Sequence, residues 1–197
     1  MLTAALALVA GAVFAAKEPS ARLGTDAAVR LDGDDARLMF VLFTGADSRH
    51  CLETLNEKAE AVAEDFSVAY RFVRSSRNAV GSGRAVLKPV GKGVMFSHEF
   101  TALADLKGET PGFILKLRAS AFAGAAWAAD GKPGIIPPEP VHTSLGGGET
   151  KAFTVTFPGG RKWSLAFPKK VKYAVYDTRR QELDEIECCF FCGPKLN

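Results

Sequence analysis

Leu38-Met39-Phe40-Val41-Leu42-Phe43 is an unbroken apolar run that passes into Thr44-Gly45-Ala46-Asp47-Ser48-Arg49-His50-Cys51. Six apolar residues without polar alternation read as a central strand covered on both faces. Thr44 to Asp47 breaks the run, and Asp47 or Ser48 can cap a helix that follows. From there Leu52, Leu55, Ala59, Val62, Ala63 and Phe66 fall on one helical stripe, with Glu53, Glu57, Lys58, Glu60 and Glu64 on the remainder. Ser67 to Val73 then alternates like a strand, with β-branched and aromatic residues. A strand–helix–strand unit of this size makes a right-handed crossover between parallel strands, so the expected fold class is α/β.

Outward from this centre the chain changes texture. Leu2 to Ala16 is an uncharged apolar run, shorter than the roughly 20 residues of a membrane span and suited to the core of a secretory signal. Residues 1–16 are therefore expected to be a cleaved signal peptide, although no Lys or Arg precedes the run. A buried apolar helix or a misplaced start are the other readings. No second such segment follows, so no membrane span is expected in the mature chain. Residues 17–35 read as a leader loop and 36–118 as the α/β domain. Residues 119–150, with Pro133, Pro137, Pro138, Pro140 and Gly146-Gly147-Gly148, read as a linker. In residues 151–197 the apolar positions Phe153, Val155 and Phe157, then Trp163, Leu165 and Phe167, flank the turn Pro158-Gly159-Gly160-Arg161. That is a hairpin, with further strands expected at Val171–Tyr176 and Ile186–Cys192: an antiparallel β meander.

The segment from Phe40 to Cys51, followed by a helix, resembles the thioredoxin superfamily, and most of all protein disulfide isomerase domains, in which an apolar strand runs into a Cys-Gly-His-Cys motif opening a helix. Here the four positions are Ser48-Arg49-His50-Cys51. The resemblance implies a thioredoxin-like domain over residues 36–118, with Cys51 in the first helical turn, His50 beside it and Ser48 where the family carries its nucleophilic cysteine. It also implies a cis-proline at the start of the third strand: Pro111, before Gly112–Leu117, or Pro89, which lies nearer in sequence but precedes a Gly-broken stretch. With Pro111, residues 78–108 hold an insertion. Dithiol exchange needs an attacking thiolate and a resolving thiol, and a serine supplies neither. The motif is thus degenerate, as in redox-inactive, substrate-binding domains of that family.

Composition narrows the function classes. The 25 Lys+Arg against 22 Asp+Glu give a net charge of +3 without any basic run, which argues against nucleic acid as a partner. Cys188, Cys189 and Cys192 lack a second ligand pair for zinc, because Cys51, His50, His98 and His142 are scattered singly. No metal and no cofactor are expected. In an exported chain Cys51, Cys188, Cys189 and Cys192 are disulfide candidates; Cys189 with Cys192 is also a candidate redox pair, and the plain alternative is buried free thiols. In a cytoplasmic chain these cysteines would suggest lipidation instead. His98 reads as a surface histidine, Asp32-Gly33-Asp34-Asp35 as a solvated turn, and Gly81-Ser82-Gly83 and Gly91-Lys92-Gly93 as flexible loops. The expected function is a secretory-pathway or extracellular module that binds protein or peptide, or assists folding, without full redox catalysis. The alternatives are a single-thiol oxidoreductase using Cys51 or the Cys189/Cys192 pair, and a β-sandwich recognition protein.

Overall fold

The computed structural model describes residues 8–12, 21–24, 26–31, 35–44, 51–52, 61–62, 67–73, 79–90, 93–141, 143–157, 159–160, 162–179 and 183–193. In chain order the elements are β1 (Leu8–Ala12), β2 (Ala21–Leu23), β3 (Val29–Leu31), β4 (Ala36–Thr44), β5 (Cys51–Leu52), β6 (Ala61–Val62), β7 (Ser67–Val73), β8 (Ala79–Val90), β9 (Gly93–Ala102) and β10 (Glu109–Arg118). The short helix α1 (Ala119–Phe122) follows, and then β11 (Ala126–Ala129), β12 (Lys132–Ile135), β13 (Ser144–Thr156), β14 (Lys162–Asp177) and β15 (Glu185–Phe191). The strands follow the order β2-β3-β4-β10-β15-β14-β1-β9-β8-β7-β6, with β5 on β4, β13 on β14, β11 on β13 and β12 on β11.

This architecture overturns the α/β expectation and the thioredoxin-like, disulfide-isomerase-like kinship with it. Every described strand pair is antiparallel, whereas the crossover needed a parallel one. The strand read at Leu38–Phe43 exists as β4, but its neighbours are β3, β5 and β10; the strand read at Ser67–Val73 is β7, which pairs with β6 and β8. Cys51 belongs to β5, its Cα opposite Phe43, and not to the opening turn of a helix. Most of the expected helix lies outside the described residues, and the pieces Cys51–Leu52 and Ala61–Val62 are strands.

β4 is nevertheless covered on both faces. Its residues alternate outward to two apolar clusters: Ala36, Leu38, Phe40 and Leu42 join the main core, and Met39, Val41 and Phe43 join a second cluster with Ala28, Ile114 and Cys189. Period-two geometry makes this division automatic along an extended chain. The main core closes because the sheet folds back on itself. Phe96 and His98 of β9 lie against Phe40 of β4 and Phe113 of β10, several strands away in the ladder. Leu8–Ala12, within the run read as a secretory signal, is the strand between β9 and β14.

Residues 119–150, read above as a linker, carry α1, β11, β12 and the start of β13, and they bury Ala119, Phe122 and Trp127 in the main core. The hairpin β11–β12 turns at Asp130-Gly131, where both residues have positive φ (45° and 84°), the backbone a two-residue type I′ loop demands. β14 runs from Lys162 to Asp177 and merges two strands expected separately; its ladder with β13 is irregular opposite Lys151, where Phe167–Lys170 intervene and accommodate Pro168. Gly81-Ser82-Gly83, read as a loop, lies inside β8; of Gly91-Lys92-Gly93, Gly93 opens β9 and the other two lie outside the described residues.

Candidate functional site

Among the described residues, those singled out by the sequence are not brought together. Ser48 and His50 lie outside the described residues. Pro111 is not a cis-proline facing a thiol: no described peptide bond is cis, its Cα pairs with Leu42, and its carbonyl accepts from the amides of Cys192 (2.9 Å) and Gly193 (3.2 Å). Cys51 sits three strands from the C-terminal cysteines, through β4, β10 and β15. At ~4.8 Å per strand that is about 14 Å, twice the Cα separation a disulfide spans.

Cys188, Cys189 and Cys192 are buried and in the thiol form. Cys188 and Cys192 face the main core and Cys189 faces the second cluster. Adjacent residues of a strand point to opposite faces, and residues three and four apart, Cys189 with Cys192 and Cys188 with Cys192, are about 10 and 13 Å from each other, so no pair among the three is in bonding range. Burial pushes the Cys192 thiol up to about 12 and Cys188 well above its ordinary value, the latter also through the neighbouring Cys189 and Glu187. Neither is a thiolate near neutrality, and the thiolate is the nucleophile.

His98, expected at the surface, is 1% exposed. Its ring stacks on Phe40 at 4.8 Å and meets Phe96 edge-on at 4.5 Å, with Phe113 at 5.8 Å. Desolvation in this aromatic cage pulls its pKa down to about 3. Among the described residues no group of three or more His, Cys, Asp or Glu side chains is placed to hold a metal. The imidazole and the C-terminal thiols are thus core groups, and no described helix is long and apolar enough to cross a membrane.

Exposed, chemically distinctive features gather instead at one flank, built by β12 and the first half of β13. Among the described strands, Ser144 to Thr150 of β13 pairs with β14 alone; β11 joins its other edge at Phe153–Thr156. Irregularities in the β13–β14 register at Ser144/Gly146 and Thr150/Ala152 bound this stretch, which holds exposed Gly147, Gly148 and Glu149. Asp130 fixes one end. Its carboxylate accepts from the amides of Lys151 (3.0 Å) and Ala152 (2.9 Å), and its own amide donates to the Ala152 carbonyl (3.0 Å).

The other end is fixed from within. Buried Arg179 donates to the carbonyls of Pro137 (3.0 Å), Pro138 (2.7 Å) and Glu139 (2.8 Å), and the Val141 amide donates to Asp177 at 2.7 Å. The proline loop is thereby bent around one guanidinium. It leaves Val141 46% exposed, while Ile135 of edge strand β12 is 64% exposed.

Trp127 floors the flank. A Cβ on Gly134 would lie 2.1 Å from its Cε2 and 2.6 Å from its Nε1, and a Cβ on Gly146 would lie 2.6 Å from its Cη2. The indole therefore rests on both glycines, one from β12 and one from β13. Trp127 is 4% exposed, and its Nε1–H has no acceptor among the described residues; most buried indole N–H groups find one. None of Asp130, Trp127, Ile135 or Arg179 was expected to matter. Asp-Gly between short apolar runs was a hairpin signal that the surrounding prolines and glycines masked.

The chain matches no protein-family model and no curated protein.

Proposed function

We propose that this chain is a β-sheet recognition module that acts by binding, not by thiol or acid–base chemistry. The all-antiparallel architecture is of the kind that presents edges and hairpins to partners, and it favours the β-sandwich recognition reading over the redox ones. One observation carries the proposal: the nucleophilic and imidazole side chains of the described core, Cys188, Cys189, Cys192 and His98, are all buried in apolar clusters. Groups tuned for chemistry sit in clefts with access to substrate; these have none. The binding partner is a protein or peptide segment, because what the exposed flank offers is backbone edge and isolated apolar side chains.

The test is thiol chemistry on the full chain. The expected result is no catalysed reduction of insulin or glutathione disulfide, with native-state labelling of the three C-terminal thiols no faster than unfolding. Turnover abolished by Cys51→Ser would replace the recognition module with a single-thiol oxidoreductase. Turnover abolished by Cys189→Ser or Cys192→Ser would install the C-terminal pair as the active thiols.

A further inference from the structure

Resting on that binding reading, we propose that the flank formed by β12 and the first half of β13 takes up an extended, acidic-ended segment of a partner protein as an added strand. Strand addition uses main-chain hydrogen bonds for affinity and neighbouring side chains for choice of sequence. The edge from Ser144 to Thr150 offers backbone unpaired with any described strand. Gly147 and Gly148 are exposed and carry no side chains that would hold another backbone away. Both ends of the stretch are fixed, by Asp130 at one and the Arg179-bound loop at the other, so adding a strand costs little ordering of the chain itself. Ile135 and Val141, at 64% and 46% exposure, are apolar contacts beside that edge.

A second, independent observation is the buried Trp127 Nε1–H without an acceptor, packed over Gly134 of β12 on this flank. Unmatched among the described residues, that donor is one that a carbonyl of an added segment would satisfy.

Charge selects the occupant. Lys132, Lys151, Lys169, Lys170 and Lys172 are exposed on β12 and around the β13–β14 hairpin. Against these five lysines stand three nearby acids: Glu149 opposite Lys172, Asp130 engaged by backbone amides, and exposed Glu139 beside the Arg179 guanidinium. The rim is therefore positive and fits a segment with Glu or Asp at its ends. A second copy of this chain does not suit the site: a few strand residues per copy fall well short of the ~1,200–2,000 Å² of a stable interface.

The experiment follows amide hydrogen exchange and tryptophan fluorescence of the full chain titrated with two synthetic peptides. Both have the core Val-Thr-Val-Thr-Val; one is flanked by Glu-Glu at each end and the other by Lys-Lys. The expected result is that the Glu-flanked peptide slows exchange at Ser144–Thr150, not at the opposite edge strand Ala21–Leu23, and binds about tenfold more tightly than the Lys-flanked one. In the double variant Lys170→Glu, Lys172→Glu, both positions exposed and so compatible with the fold, the preference reverses. The proposal is overturned by no slowing with either peptide, equal slowing by both, equal slowing at Ala21–Leu23, or slowing at Ser144–Thr150 that appears with protein concentration alone. Any of these leaves the absence of thiol turnover untouched, so failure here is separable from failure of the binding reading.

Discussion

Arg179 grips Asp177 two residues before it, with Nε donating at 2.9 Å and Nη2 at 2.8 Å to the two carboxylate oxygens, at side-chain exposures of 9% and 0%. The same guanidinium satisfies three loop carbonyls, so the pair is the internal anchor of residues 137–141. Removing one partner of a buried pair strands the other's charge. Asp177→Ala is expected to lower unfolding free energy by about 3–5 kcal/mol, read from urea midpoints. Amide exchange at Val141 should accelerate in the same variant.

The pair also sets an acid limb. Hydrogen bonds from Arg179 hold the Asp177 carboxyl well below the usual carboxylate range, against the opposing effect of burial. A depressed folded value means that the stabilisation is complete above the unfolded carboxyl value, near 4, and is lost as pH falls below it. Denaturation curves from pH 5 to 2 should steepen in the wild type and flatten in Asp177→Asn.

His98 predicts a dependence at milder pH. Its folded value near 3 lies below the unfolded value near 6.5, so the unfolded chain takes up a proton that the folded chain refuses. Stability is full above pH 6.5 and declines as pH drops from there towards 3, by roughly 1 kcal/mol per pH unit. In His98→Phe, which keeps an aromatic ring among Phe40, Phe96 and Phe113, urea midpoints at pH 7.5 and 5 should move closer together than in the wild type. Equal pH dependence in both proteins would remove His98 as its source.

These features differ in how far they were readable. Leu38–Phe43 announces a doubly covered strand because every residue is apolar, and the two clusters on β4 bear that out. What it does not announce is direction: antiparallel strands buried on both faces look the same, and the parallel reading came from an expected helix. Ser67–Val73 alternates so regularly that β7 has those bounds, yet pairing depends on distant segments that periodicity does not encode. Pro168 and the following lysines looked like a break because a bulge and a turn share residues. His98 looked solvated because its sequence neighbours Ser97 and Glu99 are polar, although on a strand they project from the opposite face. The Arg179 clamp was illegible because its carbonyl partners lie about 40 residues away in the chain.

The thiols offer a count. With no C-terminal pair in bonding range and Cys51 three strands away, the chain unfolded without reductant should titrate four free thiols. Fewer than four in an intramolecularly oxidised monomer would show that the register of β15 or β5 is wrong. In the folded chain Cys188 and Cys192 should stay unlabelled at pH 8, where a thiol raised to about 12 is almost wholly protonated.

The tightest test of the core is a methyl group. At Gly112 in β10 an added Cβ would lie 2.1 Å from the carbonyl oxygen of Phe190 on β15 and 2.7 Å from Cε2 of Phe43 on β4. The first obstacle is backbone in a ladder, which cannot swing aside as a side chain does. Gly112→Ala should therefore cost about 3 kcal/mol or more, the upper end for overpacking. At Gly134 the obstacle is a side chain, the Trp127 ring at 2.1 Å, and not ladder backbone, so Gly134→Ala should cost less, about 1–2 kcal/mol, and move the tryptophan emission. Gly159, with nothing within 4 Å of an added Cβ, is the control, and Gly159→Ala should stay within about 0.5 kcal/mol of wild type. Thermal or urea unfolding of the three variants checks the order; a Gly112→Ala chain as stable as Gly159→Ala would mean that β10 and β15 do not pair in this register.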